Sequence, residues 1–436
     1  MKNIVLIAAV LSLLSACKKD LETVNITDSD FVKTGELQVV NDDELILNGE
    51  IISGHASEYG FVYNKNGTGP FVNLDQKIRV ITPGGAKTYT SRLDATYPGV
   101  TYAIRAYGKI DGQVYYGKTV RYTTLPRGSW KRMKNFPGPQ RKFPVSFAVN
   151  GKGYVCCGRG TNGNLNDVWE FDPATDTWTQ IGDYPGSPMN SGFSFVIGNK
   201  AYVGGGSYDT PPYSNYGGYR SFYEFDPATK SWTKLSDLPL GDNAYALYGA
   251  VGFSIDGAGY VAGGATGGSA KFIGILKFDA AAKTWEHVAI LPTNYRNEVY
   301  YCYYGSAFVL GDLVYLDLGF TEWNFSTQPN LCYTWNYKTK VWQPINDVPG
   351  PQTACRVATT NSGAGYMGMG LRSGELYQFK PSATTTGWKE VTYNPNYYSN
   401  QGSVCFTIGN KTYFGLGEPV SSNRESNHLY EFTHTR

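Results

Sequence analysis

The stretch Asp167–Pro185, DVWEFDPATDTWTQIGDYP, decides how the chain is read, because it recurs. Ser221–Pro239 is SFYEFDPATKSWTKLSDLP, Gly274–Pro292 is GILKFDAAAKTWEHVAILP and Leu331–Pro349 is LCYTWNYKTKVWQPINDVP. In each, an aromatic residue precedes a tryptophan by seven positions: Phe171 and Trp178, Phe225 and Trp232, Phe278 and Trp285, Trp335 and Trp342. Asp-Pro-Ala-Thr between them is turn chemistry, since proline presets φ while Asp and Thr bond their own backbone. Each copy is therefore expected to be a hairpin. A hairpin cannot bury its own apolar face, so the copies must stack on one another.

A second unit recurs upstream of each hairpin. FAVNGKGYVCCG (Phe147–Gly158) has partners at Phe195–Gly206, Phe253–Gly264, Phe308–Gly319, Thr359–Gly370 and Phe406–Gly417. Its tyrosine appears six times, at 154, 202, 260, 315, 366 and 413, with a glycine four residues later in every copy. Six repeats of four strands predict an all-β fold, a six-bladed β-propeller. The last repeat reaches Phe432 with four residues left, too few for its tryptophan. Trp130–Pro137, WKRMKNFP, has the form of the absent outer strand and is expected to complete the sixth blade, which removes an open sheet edge.

These residues resemble a kelch-repeat propeller of the galactose oxidase central-domain type, over residues 130–436. The doublet Gly-Gly of that family is complete at Gly205-Gly206 and Gly263-Gly264; elsewhere Cys157, Leu318, Met369 or Leu416 takes the first place. In the fifth repeat Phe379 and Trp388 stand two residues further apart than the pattern. The fold hosts many activities, so the resemblance implies architecture far more than function.

Met1–Cys17 has the form of a signal segment, with Lys2, an apolar run from Ile4 to Leu14, and Leu14-Ser15-Ala16-Cys17. It resembles a bacterial lipobox, which implies lipidation of Cys17 and an outer-membrane lipoprotein in a Gram-negative cell envelope, periplasmic or surface-exposed. Residues 18–30 read as a tether. Residues 31–125 alternate apolar and polar residues in short runs, and Leu93–Tyr107 resembles the strand-F region of fibronectin type III domains, with its tyrosine corner. A fibronectin type III-like β-sandwich is expected there, acting as a spacer in preference to an accessory binding module.

A formal charge of +2 argues against a nucleic-acid partner. The four histidines, at 55, 287, 428 and 434, do not supply the pair that the copper of galactose oxidase needs, and no zinc spacing of Cys and His occurs. Gly-x-Ser-x-Gly and phosphate-binding loops are absent as well. No metal or other cofactor is expected. What remains is surface. The loops between the second and third strands, and the segments entering each blade, are rich in aromatic, Asn and Arg residues. The expected ligand-binding residues are Arg141, Tyr213, Tyr216, Tyr219, Arg296, Trp323 and Arg356. Aromatic rings stack on the C–H faces of sugars while Asn, Arg and Glu meet hydroxyls. The expectation is a recognition module for a glycan on this loop face. The alternatives are a protein-binding or adhesion scaffold, and a metal-free sugar-acting enzyme. Kelch propellers include sialic acid mutarotases, and that resemblance implies a role for the arginines and Glu298 in carboxylate binding and acid–base work.

Overall fold

The chain divides into two units, the second running from Leu125 onward and the first comprising residues up to Thr124 apart from 97–99. In the second unit the first strand of a repeat alternates buried and half-buried residues, as in Val145–Val149 and Val251–Ile255, whereas the second strand is buried almost throughout, as in Ala258–Ala262 and Ala364–Gly368. The computed structural model describes residues 30–434 apart from 42–43, 66–68, 71, 73–74, 81–86, 95–98, 126–127, 209–216, 242–245, 267–271, 273, 293–301, 320–330, 346–347, 350–354, 371–373, 382–386, 394–399 and 420–425. No helix occurs among them.

In the first unit, Val32–Thr34, Gln38–Asn41, Glu44–Ile51 and Thr88–Leu93 form one antiparallel sheet. Ala56–Asn64, Gln76–Val80, Thr101–Ile110, Gln113–Tyr116 and Val120–Thr123 form the other. Leu45, Leu47, Phe61, Tyr102, Ile104 and Ala106 share one core. The Pro98 side of the expected tyrosine corner lies outside the described residues.

The second unit contains six antiparallel sheets that share a four-stranded path; in the second, the short strand Gly217–Gly218 also pairs with Lys200–Tyr208. Sheet 1 runs Val145–Val149, Lys152–Cys156, Asp167–Asp172, Thr177–Asp183. Sheet 2 runs Asn190–Ile197, Lys200–Tyr208, Phe222–Asp226, Ser231–Lys234. Sheet 3 runs Val251–Ile255, Ala258–Ala262, Gly274–Asp279, Thr284–Ile290. Sheet 4 runs Ser306–Leu310, Leu313–Asp317, Cys332–Asn336, Trp342–Ile345. Sheet 5 runs Val357–Asn361, Ala364–Gly368, Glu375–Phe379, Trp388–Tyr393. Sheet 6 runs Val404–Ile408, Lys411–Gly415, Leu429–His434 and then Gly128–Arg132. The first strands of successive sheets are neighbours, and that of sheet 6 also borders that of sheet 1, so the sheets form a closed ring around an axis.

The hairpins form as their turn residues dictate. Asp172, Asp226 and Asp279 accept from the backbone N–H two residues on, and Asn336 does the same for Lys338. The aromatic–tryptophan spacing sets the register: Phe171 faces Trp178, Phe225 faces Trp232, Phe278 faces Trp285 and Trp335 faces Trp342. The clasp expected from the unfinished sixth repeat is present, with Trp130 opposite Phe432 in the same relation and their rings 4.8 Å apart.

Between neighbouring sheets lies a separate apolar layer, as the stacking argument requires. The one between sheets 6 and 1 joins Phe406 and Tyr413 to Val155 and Phe171, and that between sheets 2 and 3 joins Phe195 and Phe222 to Val261 and Phe278. These layers depend on glycine at alternate sheets. A Cβ added to Gly153, Gly259 or Gly365 would lie 2.3, 2.0 or 2.0 Å from the ring of Phe406, Phe195 or Phe308 of the preceding sheet. Sheets 2, 4 and 6 carry Ala201, Val314 and Thr412 at the matching position.

Candidate functional site

Each chain segment entering a sheet turns sharply four residues before the first-strand position occupied by Phe147 in sheet 1. The residues there are Phe143, Ser191, Gly249, Tyr304, Cys355 and Gly402, and all have left-handed backbone, with φ of 51, 58, 65, 52, 57 and 65°. Left-handed backbone is uncommon outside glycine, and such strain gathers at functional sites. Here it aims backbone groups around the axis. The amide of Phe143 donates to the carbonyl of Gly402, Ser191 to Phe143, Gly249 to Ser191, Tyr304 to Gly249 and Cys355 to Tyr304, over 2.8–3.1 Å. These five bonds form a girdle that joins sheet 1 to sheet 6 and each of sheets 2 to 5 to the one before it.

The side chains on the girdle follow the order large, small, none, large, small, none. Sheets 1 and 4 stand opposite each other in the ring, yet the rings of Phe143 and Tyr304 meet at 4.7 Å, so they bridge the axis. Glycine at the third and sixth positions makes room: a Cβ on Gly249 would lie 2.7 Å from Tyr303, and one on Gly402 would lie 2.7 Å from the ring of Phe143. Tyr304 is fixed further by Ser191, whose hydroxyl is 2.8 Å from its own. Ser191 donates to Asn190, Asn190 to Asn164, and Asn164 to the carbonyl of Ser207, a polar chain from the axis to the loops of sheets 1 and 2. Burial pushes the Tyr304 phenol up to about 12, with the hydrogen bonds of Ser191 and Tyr303 acting against it. Burial, then the neighbouring Tyr304, raises Tyr303 further still. Both phenols are therefore neutral hydrogen-bonding groups at physiological pH.

The described residues just before girdle positions lie on the same entering segments. Those of sheets 1 and 6 are Lys142 and Gln401, and both donate to Glu418. Burial alone would raise the Glu418 carboxyl. The hydrogen bonds of Lys142 and Gln401, with the charges of Lys142 and Arg159, outweigh it and hold the group below the usual carboxylate range. Those of sheets 3 and 4 are Tyr248 and Tyr303, edge to face at 5.8 Å. Lys142, Phe143, Tyr303, Tyr304, Gln401 and Glu418 are all half-buried, whereas Tyr248 is buried. This end of the ring thus brings a charged, hydrogen-bonding trio opposite a pair of tyrosines, with an aromatic bar between them.

The expected ligand-binding residues fall elsewhere or outside the described residues. Arg141 is fully buried in a two-pronged pair with Asp167, at 2.7 and 2.6 Å. It also donates to the carbonyls of Cys157 and Pro139. Arg356 is buried too and pairs with Asp317 at 2.9 Å. Each arginine is thus committed to a neighbouring aspartate. Tyr219 is half-buried against Tyr208, ring centroids 5.4 Å apart. Tyr213, Tyr216, Arg296, Trp323, Glu298 and Cys17 lie outside the described residues. Sequence reasoning gave no weight to Phe143 or Tyr304; the signal available was their shared offset from the first-strand Phe. Among the described residues no group of three or more His, Cys, Asp or Glu could hold a metal ion.

Comparison with known proteins bears on this architecture. Residues 108–264 match the family model of the KLHDC2/KLHL20/DRC7 Kelch-repeats domain. The fold is a kelch-type β-propeller. A solved structure, "Structure of YjhT", agrees with it at a TM-score of 0.54 and 18% identity, covering 69% of this chain and 97% of that one. Kelch-like protein 25 of Xenopus tropicalis is 24% identical over 272 residues, 60% of this chain and 42% of that protein. The N-acetylneuraminate epimerase of Pasteurella multocida is 37% identical over 83 residues, 18% of this chain and 22% of the enzyme. That of Haemophilus influenzae (strain PittEE) is 34% identical over 135 residues, 28% and 36%. The chain spans less than half the length of these curated relatives.

Proposed function

We propose that this chain is a carbohydrate-recognising lipoprotein of the cell envelope, anchored through Cys17, with a fibronectin type III-like spacer carrying a six-bladed propeller. The observation that carries the sugar reading is the pairing, at one end of the ring, of the Lys142–Glu418–Gln401 trio with Tyr303, Tyr304 and Phe143. Such an arrangement offers an apolar face to sugar C–H bonds and charged hydrogen bonds to hydroxyls. Titration calorimetry of the full chain against a broad glycan and free-sugar panel tests it. The expected result is saturable binding that Glu418→Ala weakens; binding of none of the sugars refutes it.

A second reading, an enzyme that interconverts forms of a free sugar, is favoured by the similarity to proteins named N-acetylneuraminate epimerases. It predicts faster equilibration of sugar isomers by NMR on adding the protein. A protein-binding role, the third reading, predicts specific capture of a protein partner in place of sugar binding.

A further inference from the structure

The Phe143–Tyr304 bar sits where an open propeller channel would continue. Its two rings come from opposite sheets and touch; the backbone of both is held in the girdle, and the Tyr304 hydroxyl is held by Ser191. We infer that this bar is the fixed floor of a one-sided cup, walled by Lys142, Gln401 and Glu418 on one side and Tyr303 on the other, that admits the terminal unit of a carbohydrate and excludes chain-internal units. The inference rests on the sugar-binding reading and adds the topology of the ligand. A closed floor leaves no second exit, so a chain cannot thread through the ring. Walls on two sides favour a single ring inserted edge first over a chain lying across the surface. Tyr303 is the stacking residue, because it is half-buried while Tyr248 braces it from behind, buried and edge-on. Ser191 is a positioning residue, since it acts through Tyr304.

The test is calorimetric titration of the full chain with free pyranoses, with linear oligosaccharides of the same sugars, and with their cyclic oligosaccharides, which have no terminal unit. The expected result is that pyranoses and linear chains bind with affinities within about threefold, and cyclic forms at least about tenfold more weakly. Tyr303→Ala and Gln401→Ala, on opposite walls, should each cost about tenfold or more, the size of loss that marks a hot-spot contact. Tyr303→Phe should keep affinity within about threefold. Ile290→Ser, at an exposed outer-strand position, should change nothing. Tryptophan fluorescence reports whether each variant is folded, and either wall variant suffices if the other fails to fold. Cyclic forms binding as tightly as linear ones overturn the cup. So does undiminished binding in both wall variants, while the sugar-binding reading survives. Absence of binding to every sugar overturns both.

Discussion

Arg141→Met separates a structural arginine from a ligand-binding one. The wild-type guanidinium is fully buried, holds both oxygens of Asp167 and donates to two backbone carbonyls. Methionine fills much of the volume but leaves the carbonyls of Cys157 and Pro139 without these donors. Asp167, 13% exposed, then keeps the indole N–H of Trp169, at 2.6 Å. Breaking a buried pair from one side costs about 3–5 kcal/mol, and the slight exposure of Asp167 places this case near the lower end. The expected loss is therefore about 3 kcal/mol. Arg141→Met combined with Asp167→Asn should recover part of it, since no buried charge is then unpaired. Because all nine tryptophans lie at position 130 or later, tryptophan fluorescence in a urea titration follows the propeller without the first unit. An unchanged midpoint, together with lost sugar binding, would refute the reasoning and return Arg141 to the ligand site.

Gly259→Ala should destabilise the propeller by about 1–3 kcal/mol, because its Cβ would lie 2.0 Å from Phe195, a ring enclosed by Phe222, Phe278 and Trp285; adding Phe195→Leu should restore part of the urea midpoint. Trp130→Ala should cost about 2 kcal/mol, below the range for a fully buried tryptophan because its ring is half-buried against Phe414 and Phe432, and the same titration measures it. His434, beside Thr412 and against Tyr366 and Phe432, is held by burial at about 4, below its ordinary 6.5. The unfolded chain therefore takes up the proton first, and stability falls by up to about 1.4 kcal/mol per pH unit between about 6.5 and 4. Midpoints at pH 7 and 5 should differ less in His434→Gln than in wild type.

The hairpin register was legible because Phe171 and Trp178 must face each other once Asp172-Pro173 turns the chain. The clasp was legible because Phe432 lacks a following tryptophan. The glycine alternation was present in the strings GKGYV, GAGYV and GAGYM against NKAYV, DLVYL and NKTYF, but its cause lies in the phenylalanine of the neighbouring sheet, which only packing reveals. The left-handed turns at Cys157, Met369 and Leu416 kept the backbone of a Gly-Gly doublet, at φ of 61, 54 and 56°, without its glycine. The arginine pairings were not legible: Asp167 and Asp317 are 26 and 39 residues from their partners, and no local pattern marks them. Phe143 and Tyr304 share an offset of four residues from Phe147 and Phe308, which marks them as equivalent positions, but that their rings meet across the axis follows only from the closed ring.

The most direct test of the account is a crystal structure of the chain with a sugar selected from the binding panel. The account predicts one sugar ring seated over Phe143 and Tyr304, its apolar face on Tyr303 and its hydroxyls on Lys142, Gln401 and Glu418. Density for the sugar on the outer strands, or on the opposite end of the ring with this end empty, would contradict it.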